Sequence, residues 1–282
     1  MFHERTFPCC DFAVHGATGP LSGSPIVFFH GVTRCWQDFL TLMPAVTPRW
    51  SPIAIDFRGH GRSDRAKSYL LKDHLDDAIA FMSAHVKEPA VLYGHSLGAL
   101  VAAGIAAAMP ERVRAVILED PPAEALLKNI RKSVFHTLFR ILQSFAGQER
   151  SVAEIAKDLG GYLMPMPNGM TSRLNQIRDT VSIRFMAKCL QSCDPEVLTP
   201  LIESRWLDGY DTEAIFHNVK CPALMLRADE AVGGMLAKAP GDELARWLPD
   251  CTLIELPGTG HLIHWLQPEA TAKFTTMFLE SL

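Results

Sequence analysis

The chain has 282 residues, 48% apolar and 21% charged, enough apolar mass for a sizeable core in one large α/β domain or one domain carrying an insertion. Its formal net charge of −4 speaks against a nucleic-acid partner, which calls for a basic face. No run approaches the roughly 18 consecutive apolar residues of a membrane span, and the opening residues, with Glu4 among them, lack the apolar core of a signal peptide.

Residues 5–15 alternate weakly and suit one or two edge strands. The first strong strand signal is residues 26–29, Ile-Val-Phe-Phe, bounded by Gly23, Pro25 and His30-Gly31. A helical stretch over 36–46 follows, then a buried strand at 52–56. That strand ends in the polar loop Phe57-Arg58-Gly59-His60-Gly61-Arg62-Ser63-Asp64. Residues 70–86 are amphipathic, with Leu71, Leu75, Ile79 and Met82 on one helical face. A strand at 89–93 runs through Gly94 into a small-residue helix at 97–109, and a strand at 113–118 closes on Glu119-Asp120-Pro121-Pro122. Strands alternating with helices of this length imply a parallel sheet covered on both faces.

The rhythm then breaks. Between about 123 and 218 the pattern predicts helices over 123–145, 151–159, 172–190 and 195–204 and no strand. A flexible piece at 160–170 contains Gly160, Gly161, Pro165, Pro167 and Asn168. Strand character returns at 222–226, followed by a helix to about 248 and a strand at 252–256. Last come the loop Gly258-Thr259-Gly260-His261 and a closing amphipathic helix. Residues 1–122 and 219–282 therefore read as one core domain and 123–218 as a helical cap. The seven cysteines, Cys9, Cys10, Cys35, Cys189, Cys193, Cys221 and Cys251, are odd in number and irregularly spaced, so a reducing, cytoplasmic setting is expected rather than a disulfide framework. Cys189 and Cys193 fall four apart on a predicted helix with no His or Cys pair to complete a metal set, and packing is their expected role.

The chemistry centres on Gly94-His95-Ser96-Leu97-Gly98, where strand turns into helix. A serine on so sharp a turn has an unfavourable backbone, and bulky neighbours two residues away collide with it; glycine at 94 and 98 removes the offending Cβ atoms. The turn lifts the Ser96 hydroxyl beside the positive end of the following helix. Taken alone, the same serine is also a helix cap after a glycine turn. A nucleophilic serine needs a base within reach, itself oriented by a third group.

His30-Gly31, residues 56–64, the elbow at 94–98 and the segment Gly260-His261-Leu262-Ile263-His264-Trp265-Leu266-Gln267-Pro268-Glu269 together resemble the α/β-hydrolase superfamily, in its serine esterase-like form with a helical cap. The resemblance implies a mostly parallel sheet covered by helices on both faces, with the cap inserted between the sixth and seventh strands. It implies the chain order serine, acid, histidine, and so points to Ser96 as nucleophile and His261 as base, with the backbone N–H groups of Val32 and Leu97 as oxyanion donors. His264, at the start of the final helix, is expected to be structural. Serine at 96 speaks against the dehalogenase and epoxide-hydrolase members, which use aspartate there.

The acid departs from the family pattern. Where a Gly-x-x-Asp is often found after the cap, this chain reads Ala228-Asp229-Glu230-Ala231, with Ala231 in the acid's place. The other position used in the superfamily, at the end of the strand before the cap, falls on Asp120, in a loop stiffened by two prolines. Asp120 is the first choice, Asp229 the second and Glu119 the third. Asp56, Arg58, His60 and Asp64 are expected to brace the loop below the site; Arg34 and Trp36 are candidates for substrate contact, Trp36 equally for the core. Met164, Met166, Met170, Phe185 and Met186 suit an adaptable apolar pocket, which favours small to medium acyl or aryl esters over charged substrates. The resulting expectation is a carboxylesterase-like hydrolase of a small-molecule ester, working through an acyl-enzyme without metal or cofactor. A carbon–carbon bond hydrolase or lactonase with the same triad is the alternative. A non-catalytic ligand-binding member is the second, supported by Ala231.

Overall fold

The computed structural model describes residues 1–9, 12–166 and 169–282, so Cys10, Pro167 and Asn168 named above lie outside the described residues. The strands are β1 (His3–Cys9), β2 (Phe12–Thr18), β3 (Pro25–Phe29), β4 (Ser51–Ile55), β5 (Ala90–His95), β6 (Val113–Glu119), β7 (Leu163–Pro165), β8 (Thr171–Arg173), β9 (Ala223–Ala228) and β10 (Cys251–Leu256). Among the described residues eight of them form one sheet in the order β1-β2-β4-β3-β5-β6-β9-β10. The β1–β2 and β2–β4 pairs are antiparallel, and every other pair in this sheet is parallel.

The central strands are apolar on both faces, which is why they read as continuous runs. In β3, Ile26 and Phe28 face one layer while Val27 and Phe29 face the other; Val91 and Tyr93 against Ala90 and Leu92 repeat the alternation in β5. Helices Leu71–His85 and Leu97–Ala108 cover the Val27 side. The 3₁₀ turn Trp36–Thr41 and the final helix Pro268–Glu280 cover the Phe28 side. Strand order reverses around β3, with β4 on one side and β5 on the other, and open parallel sheets bind their ligands at the carboxyl ends beside such a switch. Those ends carry Gly31 and Val32 after β3, Ser96 after β5 and Asp120 after β6, with His261 following β10.

The turn at Ser96 is held by direct backbone contact. A Cβ on Gly98 would stand 1.9 Å from the carbonyl oxygen of Phe29, and one on Gly94 would stand 2.1 Å from the oxygen of Gly98. Ser96 itself has φ 56° and ψ −116°, outside the wells that side chains favour. Thr33 and Asp120 also have positive φ, at 65° and 43°.

Between β6 and β9 the chain leaves the main sheet, and here three expectations are corrected. The segment contains strands after all: β7 and β8 form a small antiparallel hairpin, too short for a two-residue period to show in the sequence. The helix expected over 172–190 is two helices, Leu174–Ile177 and Thr180–Gln191, separated by an extended Arg178 (φ −136°, ψ 143°). The break arises because Asp179 caps the second helix, its Oδ1 accepting from Ser182 N at 2.8 Å. The stretch 123–145 likewise breaks, at Asn129 and Ser133, into Glu124–Lys128, a 3₁₀ turn and Val134–Phe145. The helix Thr212–Asn218, inside the expected cap boundary, packs on Leu97–Ala108 and Lys238–Trp247, and Tyr210 Oη donates to Leu100 O at 2.7 Å. Residues from about 210 onward thus lie on the core.

Gly98→Ala forces β3 and the following helix apart and is expected to lower the melting temperature by about 5 °C or more. Gly161→Ala, whose Cβ would meet only Arg173 Nη1 at 3.9 Å, should stay within about 2 °C. Differential scanning calorimetry of the two variants checks the contrast.

Candidate active site

Ser96 extends the β5 ladder by donating its N–H to Glu119 O at 2.9 Å, and its carbonyl starts the next helix by accepting from Ala99 N and Leu100 N. It is only 3% exposed, and it lines a cavity of about 220 Å³ together with His261. Gly31 lies against it: a Cβ there would be 3.2 Å from Ser96 Cβ and 2.7 Å from His95 Nδ1.

His261 Nδ1 is 2.6 Å from Asp120 Oδ2. Asp120 is fully buried. Its Oδ1 also accepts from Ala228 N at 3.1 Å and its Oδ2 from Met235 N at 2.8 Å. These amides and the imidazole fix the carboxylate in one orientation, and a carboxylate at Nδ1 keeps the imidazole proton there, leaving the lone pair on Nε2. No hydrogen bond joins Ser96 Oγ to His261 among the described residues, a contact that often closes only with substrate.

The other two candidate acids are engaged elsewhere. Asp229, on the surface, accepts from Ala231 N at 2.9 Å and Gly258 N at 2.8 Å, which hold its carboxyl below the usual range and shape the loop leading to His261. Glu119 is buried against His264, whose Nδ1 is 2.8 Å from its Oε1, and also accepts from Tyr93 Oη at 2.7 Å.

The amides of Val32 and Leu97 have no hydrogen-bond partner among the described residues. Leu97 N is a first-turn helix donor, unsatisfied by geometry, and Val32 lines the cavity. Two neutral histidines stiffen the Val32 loop. His30 Nδ1 donates to Gly31 O while its Nε2 accepts from Phe57 N at 3.0 Å. His60 Nδ1 donates to Arg58 O and its Nε2 accepts from Thr33 N at 3.2 Å. Burial lowers the pKa of both, His60 to about 3, so both rings stay uncharged. Asp56 accepts from Trp36 N and Arg62 N, Asp64 from Ala13 N, and Arg58 pairs with Asp77. Trp36 is a core residue and does not reach the cavity.

The pocket wall is largely apolar, with Met164, Met166, Met186 and Phe139, but among the described residues it also carries Arg34 and Arg178 and no carboxylate. Of the residues expected to form an adaptable apolar pocket, Met164, Met166 and Met186 line it, and Arg34, a candidate for substrate contact, lines it as well. Met170 is exposed and does not line it; Phe185 stacks on Trp265, with Arg34 over both rings. Arg178 gave no signal in the sequence beyond the N-cap residue Asp179 that follows it.

Behind Arg34 runs a buried string of charges. Arg34 Nε donates to Asp38 Oδ1 at 2.9 Å, Trp265 Nε1 donates to the same oxygen at 2.7 Å, and Asp38 Oδ2 lies 3.3 Å from His264 Nε2. Burial opposes charge on every member, but the partners prevail. Arg34 and His264 hold Asp38 well below its ordinary range, while His264 and His95 hold Glu119 near 2. Glu119 and Asp38 lift His264 to about 9. His264 is thus a structural cation, and it sits in the short helix Ile263–Leu266, four residues before the final helix begins at Pro268. Across the core, the sulfurs of Cys35 and Cys189 are 3.3 Å apart, joining the Val32 loop region to helix Thr180–Gln191.

The sequence pattern of the Alpha/beta hydrolase family matches residues 26–274. The chain belongs to this family of hydrolases. The hydrolase is 26% identical over 273 residues to 2-(acetamidomethylene)succinate hydrolase of Mesorhizobium japonicum, covering 92% of this chain and 89% of the relative. It is also 26% identical to 2-hydroxymuconate semialdehyde hydrolase of a Pseudomonas species, covering 91% and 86%. Among solved structures, an E-2-(acetamidomethylene)succinate hydrolase superposes with a TM-score of 0.74 at 23% identity (99% and 100% covered). The enol-lactonase of Burkholderia xenovorans superposes at 0.73 with 18% identity (98% and 100%). Among the described residues of the hydrolase, no helix is long and apolar enough to cross a membrane, and no cluster of His, Cys, Asp and Glu is set to hold a metal.

His264 has a folded pKa of about 9 against 6.5 for the free side chain, so its stabilising contribution is complete below pH ~6.5 and lost as pH rises through about 9. The melting temperature should fall across that window. His264→Gln should be less stable at pH 6 and lose that part of the slope; an unchanged slope would contradict the assignment.

Proposed function

We propose that the protein is a serine hydrolase in which Ser96, His261 and Asp120 form the catalytic triad and the segment from residue 123 to about residue 209 acts as a cap over the cavity. The observation that carries this reading is the His261–Asp120 contact of 2.6 Å beside the cavity that Ser96 lines. Ser96 Oγ attacks the substrate carbonyl carbon and His261 Nε2 takes its proton. Asp120 holds the tautomer and stabilises the imidazolium. The tetrahedral oxyanion sits between the free amides of Val32 and Leu97. Collapse expels the leaving group, protonated by His261, and leaves an acyl-enzyme. A water molecule deprotonated by His261 then cleaves that ester and restores Ser96.

Small to medium carboxylic esters are one substrate class for this machinery. Cleavage of a carbon–carbon bond or a lactone by the same residues is the second reading, supported by relatives named a 2-hydroxymuconate semialdehyde hydrolase and an enol-lactonase, while a relative named a putative esterase/lipase supports the first. Turnover of p-nitrophenyl esters of several chain lengths, set against a vinylogous diketone, separates the two.

A fluorophosphonate probe should label the protein and fail to label Ser96→Ala; a parent protein that resists the probe would favour the non-catalytic reading, in which Ala231 marks a lost acid. Asp120→Asn should lower kcat by about four orders of magnitude, the loss typical of a triad acid. Asp229→Asn should retain most of the activity, because that carboxylate serves only two loop amides. A large loss confined to Asp229→Asn would sink the assignment of Asp120.

A further inference from the structure

Arg178 occupies the extended residue between two helices, and its side chain enters the wall of the cavity that Ser96 and His261 share. Its guanidinium has no carboxylate, carbonyl or hydroxyl partner among the described residues. The nearest acid in sequence, Asp179, is committed to its own helix, with Oδ1 on Ser182 N at 2.8 Å and Oδ2 on Ser182 Oγ at 2.5 Å. Arg34, the other cation in the wall, is already neutralised by Asp38 and clamped by Phe185 and Trp265. The wall therefore presents one cation without a hydrogen-bonding partner in largely apolar surroundings, and among the described residues no Asp or Glu lines the cavity beside it.

An arginine cannot shed its proton to escape this position. Burial and the neighbouring charge of Arg34 both weaken its hold on the proton and outweigh the opposing pull of Asp179, which makes no hydrogen bond to it. A half-buried charge without hydrogen bonds is costly, and a ligand bringing the opposite charge removes that cost. The planar fork of a guanidinium matches a carboxylate in a bidentate pair, which adds orientation to attraction.

We propose that Arg178 is an anion anchor of the active site, and that the substrate carries a carboxylate remote from the carbonyl attacked by Ser96. The proposal rests on the serine-hydrolase reading and names its substrate class. Arg178 binds and orients; it takes no part in proton transfer. The esters favoured from the methionine-rich wall are thus acidic ones.

The test compares mono-p-nitrophenyl adipate with p-nitrophenyl hexanoate, in which a methyl group replaces the free carboxylate. The parent enzyme should prefer the adipate ester at least tenfold in kcat/KM, mainly through KM. Arg178→Gln should erase that ratio, and Arg178→Lys, which keeps the charge but not the fork, should retain part of it. A parent enzyme without the preference, or an Arg178→Gln variant that keeps it, would overturn the proposal. Binding is read separately: free adipate should raise the melting temperature of the parent protein and not of Arg178→Gln, while neutral adipamide should shift neither. If neither ester is turned over and Ser96 resists the fluorophosphonate, the hydrolase reading fails, and the adipate shift still decides for or against the anion anchor.

Discussion

The contact between the backbone of Gly98 and the carbonyl of Phe29 is the constraint on which the rest of the site depends. It places the start of helix Leu97–Ala108 directly against the end of β3, with no side chain between them. Three things then follow from one steric fact. The turn at Ser96 is forced into its unusual backbone conformation, the Leu97 amide is left at the open first turn of a helix, and the residues after β3 are drawn along Ser96. Gly31 is the only residue type that fits there, since a Cβ would press on both His95 and Ser96. The candidate nucleophile and the two candidate oxyanion donors are in this sense a single unit, positioned by sheet packing rather than by their own side-chain interactions.

The charges are organised in separate groups. Behind the cavity, Arg34, Asp38, His264 and Glu119 form a balanced buried string of two cations and two anions that ties the loop after β3 to the end of β6 and the segment after β10. Such a string is a weak source of net stability, because desolvation offsets much of the attraction, yet removing any one member strands the others. Beside the cavity, which His261 lines, Asp120 and His261 form their own pair, with backbone amides rather than further charges completing the carboxylate's shell. The two histidines three positions apart thus meet different acids: His261 meets Asp120, and His264 meets Glu119. Arg178 belongs to neither group, which is what sets it apart among the charges near the cavity.

The fold was largely readable because β3 and β5 are buried on both faces, as is β6 beyond Arg114, and so appear as apolar runs, and because the elbow's steric demand leaves little choice but glycine at 94 and 98. The ranking of carboxylates was harder. Glu119 ends one strand, and Asp120 and Asp229 each follow one; what distinguishes the three is which amides and rings they meet, and the partners of Asp120 lie 108 to 141 residues away in the chain. The segment between β6 and β9 was the least legible. Its hairpin strands are three residues long, and its helices are interrupted by local capping at Asp179 that competes with an otherwise continuous helical period. Arg178 owes its place to that interruption, so no periodicity would have singled it out.

The positive φ values at Thr33, Ser96 and Asp120 carry an implication for how this protein can change. A non-glycine residue held in such a conformation costs on the order of 1–3 kcal/mol, and the surrounding sheet must hold it there. Glycine at any of these positions would relax the chain while deleting a side chain from the site. Selection for thermal robustness alone would therefore erode the candidate active site before the core, and the serine and aspartate persist in this backbone only under a demand other than stability.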